Sequence, residues 1–168
     1  GNDTIFGGKG SDKLYGSFGD DVLNGDSEND FLAGNQGNDS LFGGHGEDTL
    51  IGGTGDDYLA GGLNNDQLRG SSGNDTLYGD QGHDTLEGGA GVDYISGGRG
   101  DDRLVGSLGD DTLNGDYGRD TLYAGDGNDN LSGDGGDDKL FGGAGNDILS
   151  GGDGQDTIAG GAGNDAFY

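Results

Sequence analysis

From Gly7 onward the sequence repeats every nine residues through eighteen units, with no insertion or deletion, and the sixth place of every unit is aspartate. These are Asp12, Asp21, Asp30, Asp39, Asp48, Asp57, Asp66, Asp75, Asp84, Asp93, Asp102, Asp111, Asp120, Asp129, Asp138, Asp147, Asp156 and Asp165, and Asp3 holds the same place in the partial unit Gly1–Phe6. Two places after each aspartate stands one large apolar residue, Leu in most units and Ile or Phe in the others. A fixed short period of this kind restricts the chain to a solenoid, in which stacked neighbours bury the apolar face that no single unit can bury alone.

Each unit opens on Gly-Gly-x-Gly-x-Asp or a close variant and closes on x-apolar-x. Glycine at fixed places in a tight loop marks positive φ or close backbone approach. The closing triplet alternates out, in, out, as a short strand over a core does. A strand of three and a turn of six make half a coil, so eighteen residues complete one. The expected fold is all-β: a right-handed parallel β-roll of about nine coils, with odd-numbered units (Gly7–Tyr15 being the first) in one sheet and even-numbered units in the other. Leu14, Leu32, Leu50, Leu68, Leu86, Leu104, Leu122, Leu140 and Ile158 would form one inward ladder. Leu23, Leu41, Leu59, Leu77, Ile95, Leu113, Leu131, Leu149 and Phe167 would face it. Coils about 4.8 Å apart give a rod of roughly 40 Å. The partial repeat 1–6 and the units of 7–168 read as a single block. It starts in mid-repeat and stops just after a strand, as expected of a segment of a longer protein.

The chain carries 33 acidic and 7 basic residues for a net charge of −26, with 45 glycines and no Pro or Cys. A period of nine without proline excludes collagen. Low hydrophobicity with high charge is also the mark of a disordered chain. One apolar side chain per unit is thin against the entropy of ordering nine residues, several of them glycine. A cation is therefore expected in the folded state. Stacking sets aspartates eighteen residues apart on neighbouring coils, from Asp12 with Asp30 to Asp147 with Asp165, with a poorer pair at Asp3 and Asp21. Carboxylates so placed repel unless an ion lies between them. Glycine-rich turns add carbonyl oxygens, and an all-oxygen shell of six or more suits Ca²⁺ better than Mg²⁺. Zinc and copper favour the His and Cys that are scarce or absent here. About sixteen Ca²⁺ sites are expected, enough to offset the whole net charge.

The consensus resembles the Gly-Gly-x-Gly-x-Asp-x-apolar-x nonapeptide of the RTX (repeats-in-toxin), or hemolysin-type, calcium-binding family. Gly43–Ile51 and Gly142–Ser150 match every fixed place. The resemblance implies a β-roll that is disordered without Ca²⁺ and folds in the millimolar calcium outside a bacterial cell. It further implies type I secretion as an unfolded chain. Family members include toxins, proteases, lipases, epimerases, adhesins and surface-layer proteins, so the resemblance says little about the parent protein; the block itself is expected to be a non-enzymatic folding module. A repetitive spacer or adhesion module, or the accessory module of a secreted enzyme, are the alternatives. Glu28 and Asn64 replace the fourth glycine of their units, and the Glu28 loop is expected to be the weakest site, because Glu tolerates positive φ poorly.

Other motifs carry less. Asn2-Asp3-Thr4, Asn38-Asp39-Ser40 and Asn74-Asp75-Thr76 match the N-glycosylation pattern but follow automatically from the repeat. Asp126–Asn130 resembles the start of an EF-hand loop, yet Leu131 stands where glycine is required. His45 and His83 read as solvated loop residues, no catalytic constellation emerges, and no apolar stretch is long enough for a membrane span. A net-acidic rod is a poor partner for nucleic acid. All seven basic residues (Lys9, Lys13, Arg69, Arg99, Arg103, Arg119, Lys139) fall in odd-numbered units, and the outward strand places of the even units carry no charge. That face, including Tyr58, Tyr78 and Tyr94, is a candidate contact surface for a neutral polysaccharide, a second roll or a neighbouring domain.

Overall fold

The computed structural model describes all 168 residues, and they form a parallel β-solenoid of about nine turns without a helix. One sheet holds ten strands in the order β1 (Thr4–Lys9), β3 (Val22–Ser27), β5 (Ser40–His45), β7 (Tyr58–Leu63), β9 (Thr76–Gln81), β11 (Tyr94–Arg99), β13 (Thr112–Tyr117), β15 (Asn130–Ser132), β17 (Ile148–Ser150) and β19 (Ala166–Phe167). The other holds nine: β2 (Lys13–Phe18), β4 (Phe31–Gln36), β6 (Thr49–Thr54), β8 (Gln67–Ser72), β10 (Thr85–Ala90), β12 (Arg103–Leu108), β14 (Thr121–Asp126), β16 (Lys139–Ala144) and β18 (Thr157–Ala162). All pairing is parallel with an eighteen-residue register, as in Leu86↔Leu104 and Ile95↔Leu113. No helix is present that could cross a membrane.

The apolar ladders meet between the sheets as the period requires. From Leu23 to Leu149 nearly every rung residue is completely buried. The ladders open at the ends: Ile5 and Ile158 are partly buried and Phe167 is 55 % exposed, because its strand has a neighbour on one side only.

Strand length departs from the expected three residues. Most strands run for six, through the apolar triplet and the next three places, as the pairs Gly8↔Asp26 and Lys9↔Ser27 show. The first place of each unit is glycine everywhere except the buried Ala124. It lies inward beside the leucine, and a residue this small leaves room for the ladder to continue over the turn aspartate in most coils, β14 with Ala124 included. The turn proper shrinks to three residues, and the sheets change their surface composition. Lys9, His45 and Arg99 belong by sequence to odd units but lie at the ends of β1, β5 and β11 in the even-unit sheet. Asp26, Asp80 and Asp116 lie on β3, β9 and β13 of that same sheet. The even sheet is thus uncharged along its first four columns, and charge enters at the fifth and sixth places of its strands.

Candidate metal centre

Each turn aspartate uses its two carboxylate oxygens differently. Oδ1 accepts a hydrogen bond from the backbone N–H of the aspartate eighteen residues earlier: Asp12 N–H donates to Asp30 Oδ1 at 2.8 Å, Asp66 to Asp84 at 2.7 Å and Asp129 to Asp147 at 2.9 Å. The stack therefore brings together the expected pairs, and one oxygen of each carboxylate is already engaged. The other, Oδ2, is buried and has no hydrogen-bond partner in sixteen aspartates, Asp12 through Asp147 in steps of nine. Asp3 is exposed, and Asp156 and Asp165, though they accept from Asp138 and Asp147, are only partly buried.

What surrounds Oδ2 is a second oxygen. A methyl placed on Gly97 would lie 2.6 Å from Asp102 Oδ2 and 2.9 Å from the carbonyl oxygen of Gly115 on the next coil. For Gly7 the figures are 2.8 Å to Asp12 Oδ2 and 2.9 Å to Gly25 O. Glycine opens this place in seventeen of eighteen units, and Ala124 is the exception. No three acidic or histidine side chains converge anywhere. An ion in the turns would thus take carboxylate oxygen from the stack and its remaining ligands from backbone carbonyls and water, the oxygen-rich and irregular shell that Ca²⁺ accepts. A buried, unpartnered carboxylate oxygen repeated on every coil is costly by itself, and the donor set fits Ca²⁺.

Burial shows the same conflict in proton affinity. Desolvation, with repulsion from stacked neighbours, pushes Asp66 up to about 8 and Asp57, Asp84, Asp111 and Asp120 to about 7, although the N–H bonds on Oδ1 pull the other way. In the metal-free roll these groups hold protons that the unfolded chain, near 3.8, releases. Stability of the metal-free roll is therefore greatest below about pH 4 and is lost as pH rises toward 8. Calcium needs the charged form, so its binding weakens as pH falls. Circular dichroism across pH 4–8 checks this: strand signal in chelator should grow on acidification, while the calcium needed for half-folding should rise. A pH-independent signal in chelator would contradict it.

The fifth place of each unit was not legible as structural. Asn or Asp stands there in twelve of eighteen units, and that enrichment was the available signal. Its side-chain oxygen accepts the backbone N–H of the fifth residue on the next coil, as Asn38 does from Asp56 at 3.0 Å and Asp110 from Asn128 at 2.7 Å. Asn2, Asn38 and Asn74 of the glycosylation-like triplets all serve this ladder. At His83 the ring Nδ1 takes over the accepting role from Asp101 N–H at 2.7 Å, so His83 is part of the turn ladder.

Glu28 and Asn64 take φ of 74° and 80°, whereas fifteen glycines at that place lie between 108° and 155°. The Glu28 turn keeps a buried, unpartnered Asp30 Oδ2, but Glu28 and Asp26 add repulsion there. Glu28→Gly should stabilise the calcium-loaded protein by about 1 kcal/mol, read as a higher unfolding midpoint, by removing left-handed strain from a side-chain residue.

Tyr58, Tyr78 and Tyr94 lie together on the outer face of the ten-stranded sheet, ring centroids 5.7 and 5.8 Å apart. They are remote in role from the turns.

No curated protein matches the chain. A family profile described as RTX calcium-binding nonapeptide repeat (4 copies) matches in overlapping copies at residues 1–32, 24–59, 33–68, 60–95, 69–104, 96–131, 105–140 and 132–167. With the nonapeptide register, the β-roll and the oxygen-lined turns agreeing along the whole chain, the protein belongs to the RTX calcium-binding nonapeptide repeat family.

Proposed function

We propose that this chain is a calcium-driven folding module of a protein exported from a bacterial cell, with one ion held at each of about sixteen inter-coil turns. The single observation that carries this reading is the set of sixteen buried carboxylate oxygens without a partner. Unfilled, they oppose the fold; each divalent ion turns that opposition into cohesion between two coils. In low calcium the chain stays unfolded, the form suited to passage through a secretion channel, and outside the cell it orders and stiffens. The aspartates Asp12 to Asp165 supply the side-chain ligands, and Asp3 supplies a weaker one with Asp21. No catalytic role is assigned to the block. A spacer or adhesive role, or service beside an enzyme domain, is compatible with the same switch.

The test is a calcium titration followed by far-ultraviolet circular dichroism, with magnesium in parallel. The expected result is a cooperative gain of strand signal in calcium, little response to magnesium, and complete loss on adding chelator. Full strand signal at neutral pH in chelator would contradict the reading.

A further inference from the structure

The outward face of the ten-stranded sheet carries a feature that calcium binding does not use. Phe42 on β5, Tyr58 on β7, Tyr78 on β9 and Tyr94 on β11 form a continuous aromatic strip, each ring 5.7–5.8 Å from the next and tilted by 46–52°. The register explains it. Phe42, Ala60, Tyr78 and Ser96 share one column, and Ser40, Tyr58, Thr76 and Tyr94 share the column beside it. Every coil thus presents one ring and one small residue, on alternating sides, and the rings interleave. Phe42, Tyr58 and Tyr94 remain 36–38 % exposed. The Tyr94 hydroxyl, at the end of the strip, accepts a bond from Asn114 Nδ2 at 3.1 Å.

Beside the strip, on β7, β9, β11 and β13, runs a groove of about 450 Å³. Gly62 and Gly98 leave its floor open, and Asp80, Gln81, Arg99 and Asp116 line it. We propose that this face binds a neutral polysaccharide laid along the rod, its sugar rings stacking on the aromatic strip and its hydroxyls bonding to the planar groups of the groove. The chemistry favours that occupant over others. Sugar faces present C–H groups to aromatic rings, and vicinal hydroxyls pair with carboxylate, amide and guanidinium groups. The strip advances about 4.8 Å per coil, a step of the order of one sugar unit in an extended chain. The groove itself carries two carboxylates, Asp80 and Asp116, against the single Arg99, and that local excess of negative charge disfavours an anionic polymer. A protein partner would cover about 800 Å² on this side, extending past the strip and the groove and desolvating Asp26 as well. A single glycan chain needs only the strip and its groove.

The proposal goes beyond the calcium switch and is tested on the calcium-loaded chain. Native electrophoresis is run in gels containing hydroxyethylcellulose, galactomannan or dextran, with carboxymethylcellulose as the anionic counterpart. At least one neutral polymer should retard the protein. Tyr58→Ala, Tyr78→Ala and Tyr94→Ala together should weaken retardation about tenfold or more, and Gln81→Ala with Arg99→Ala should weaken it too. Tyr123→Ala, on the opposite sheet, should leave it unchanged. Circular dichroism reports folding of each variant; if the triple variant does not fold, the Gln81/Arg99 variant decides, and unimpaired retardation there overturns the proposal. So does absence of retardation by every neutral polymer, preference for carboxymethylcellulose, or equal loss in Tyr123→Ala. Tyrosine-dependent dimerisation in sedimentation without glycan retardation would assign the face to a second copy and also overturn it.

Discussion

Asp84→Asn, in mid-rod, should raise the calcium concentration for half-maximal folding by about tenfold or more, because a contact made by an ionised group is worth ~1.5–3 kcal/mol. Asp84 is 2 % exposed; its Oδ1 accepts Asp66 N–H at 2.7 Å, and its Oδ2 has no partner. Asparagine can still accept that N–H bond but brings no charge to the ion. In chelator the sign reverses. Burial holds the Asp84 carboxyl up at about 7, so removing it relieves the metal-free roll and strand signal there should rise slightly. Asp110→Asn is the control with the same change in net charge. Asp110 is exposed and its Oδ1 serves Asn128 N–H, a role asparagine fills in neighbouring units. Its calcium titration should superimpose on that of the parent protein. Equal shifts in both variants would mean that the ions respond only to overall charge and not to the turn geometry.

Gly100→Ala should be among the most damaging single methyls on the rod, with Gly118→Ala and Gly136→Ala. Gly100 has φ of +135°, and a methyl there would overlap the carbonyl oxygen of Gly82 on the preceding coil and approach His83 Nδ1 at 3.2 Å. Left-handed strain alone costs ~1–3 kcal/mol for a residue with Cβ, and the backbone clash adds to it by forcing two coils apart where an ion is to bind. Gly8→Ala pays the strain without the clash: φ is +94° and nothing lies within 4 Å of the added methyl. Denaturant unfolding in saturating calcium should show a loss of about 3 kcal/mol or more for Gly100→Ala and about 1 kcal/mol for Gly8→Ala. Similar losses at both places would show that coil spacing is looser than the stacked turns imply.

Leu23 through Leu149 and the turn aspartates were legible in the sequence, since a period of nine admits few ways to bury one leucine and stack one carboxylate per unit. The strand boundaries were not. A Gly-Gly pair reads locally as turn, and only the stacked geometry shows that Gly7, Gly25 and their equivalents lie inward and extend the ladder. Lys9, His45 and Arg99 consequently crossed to the other sheet. The fifth-place ladder was hidden because Asn38, Asp110 and His83 share no charge or shape, only an acceptor atom at the right height. The division of labour within each carboxylate was equally invisible, for spacing places a side chain but does not say which of its oxygens a backbone N–H will claim.

The most direct measurement is a crystal structure grown in saturating calcium, with anomalous scattering used to locate the ions. An ion is expected beside the unpartnered Oδ2 of each of the sixteen aspartates from Asp12 to Asp147, bridging consecutive coils on both edges. Turns without ions in an otherwise intact roll, or aspartates rotated outward to solvent, would contradict it.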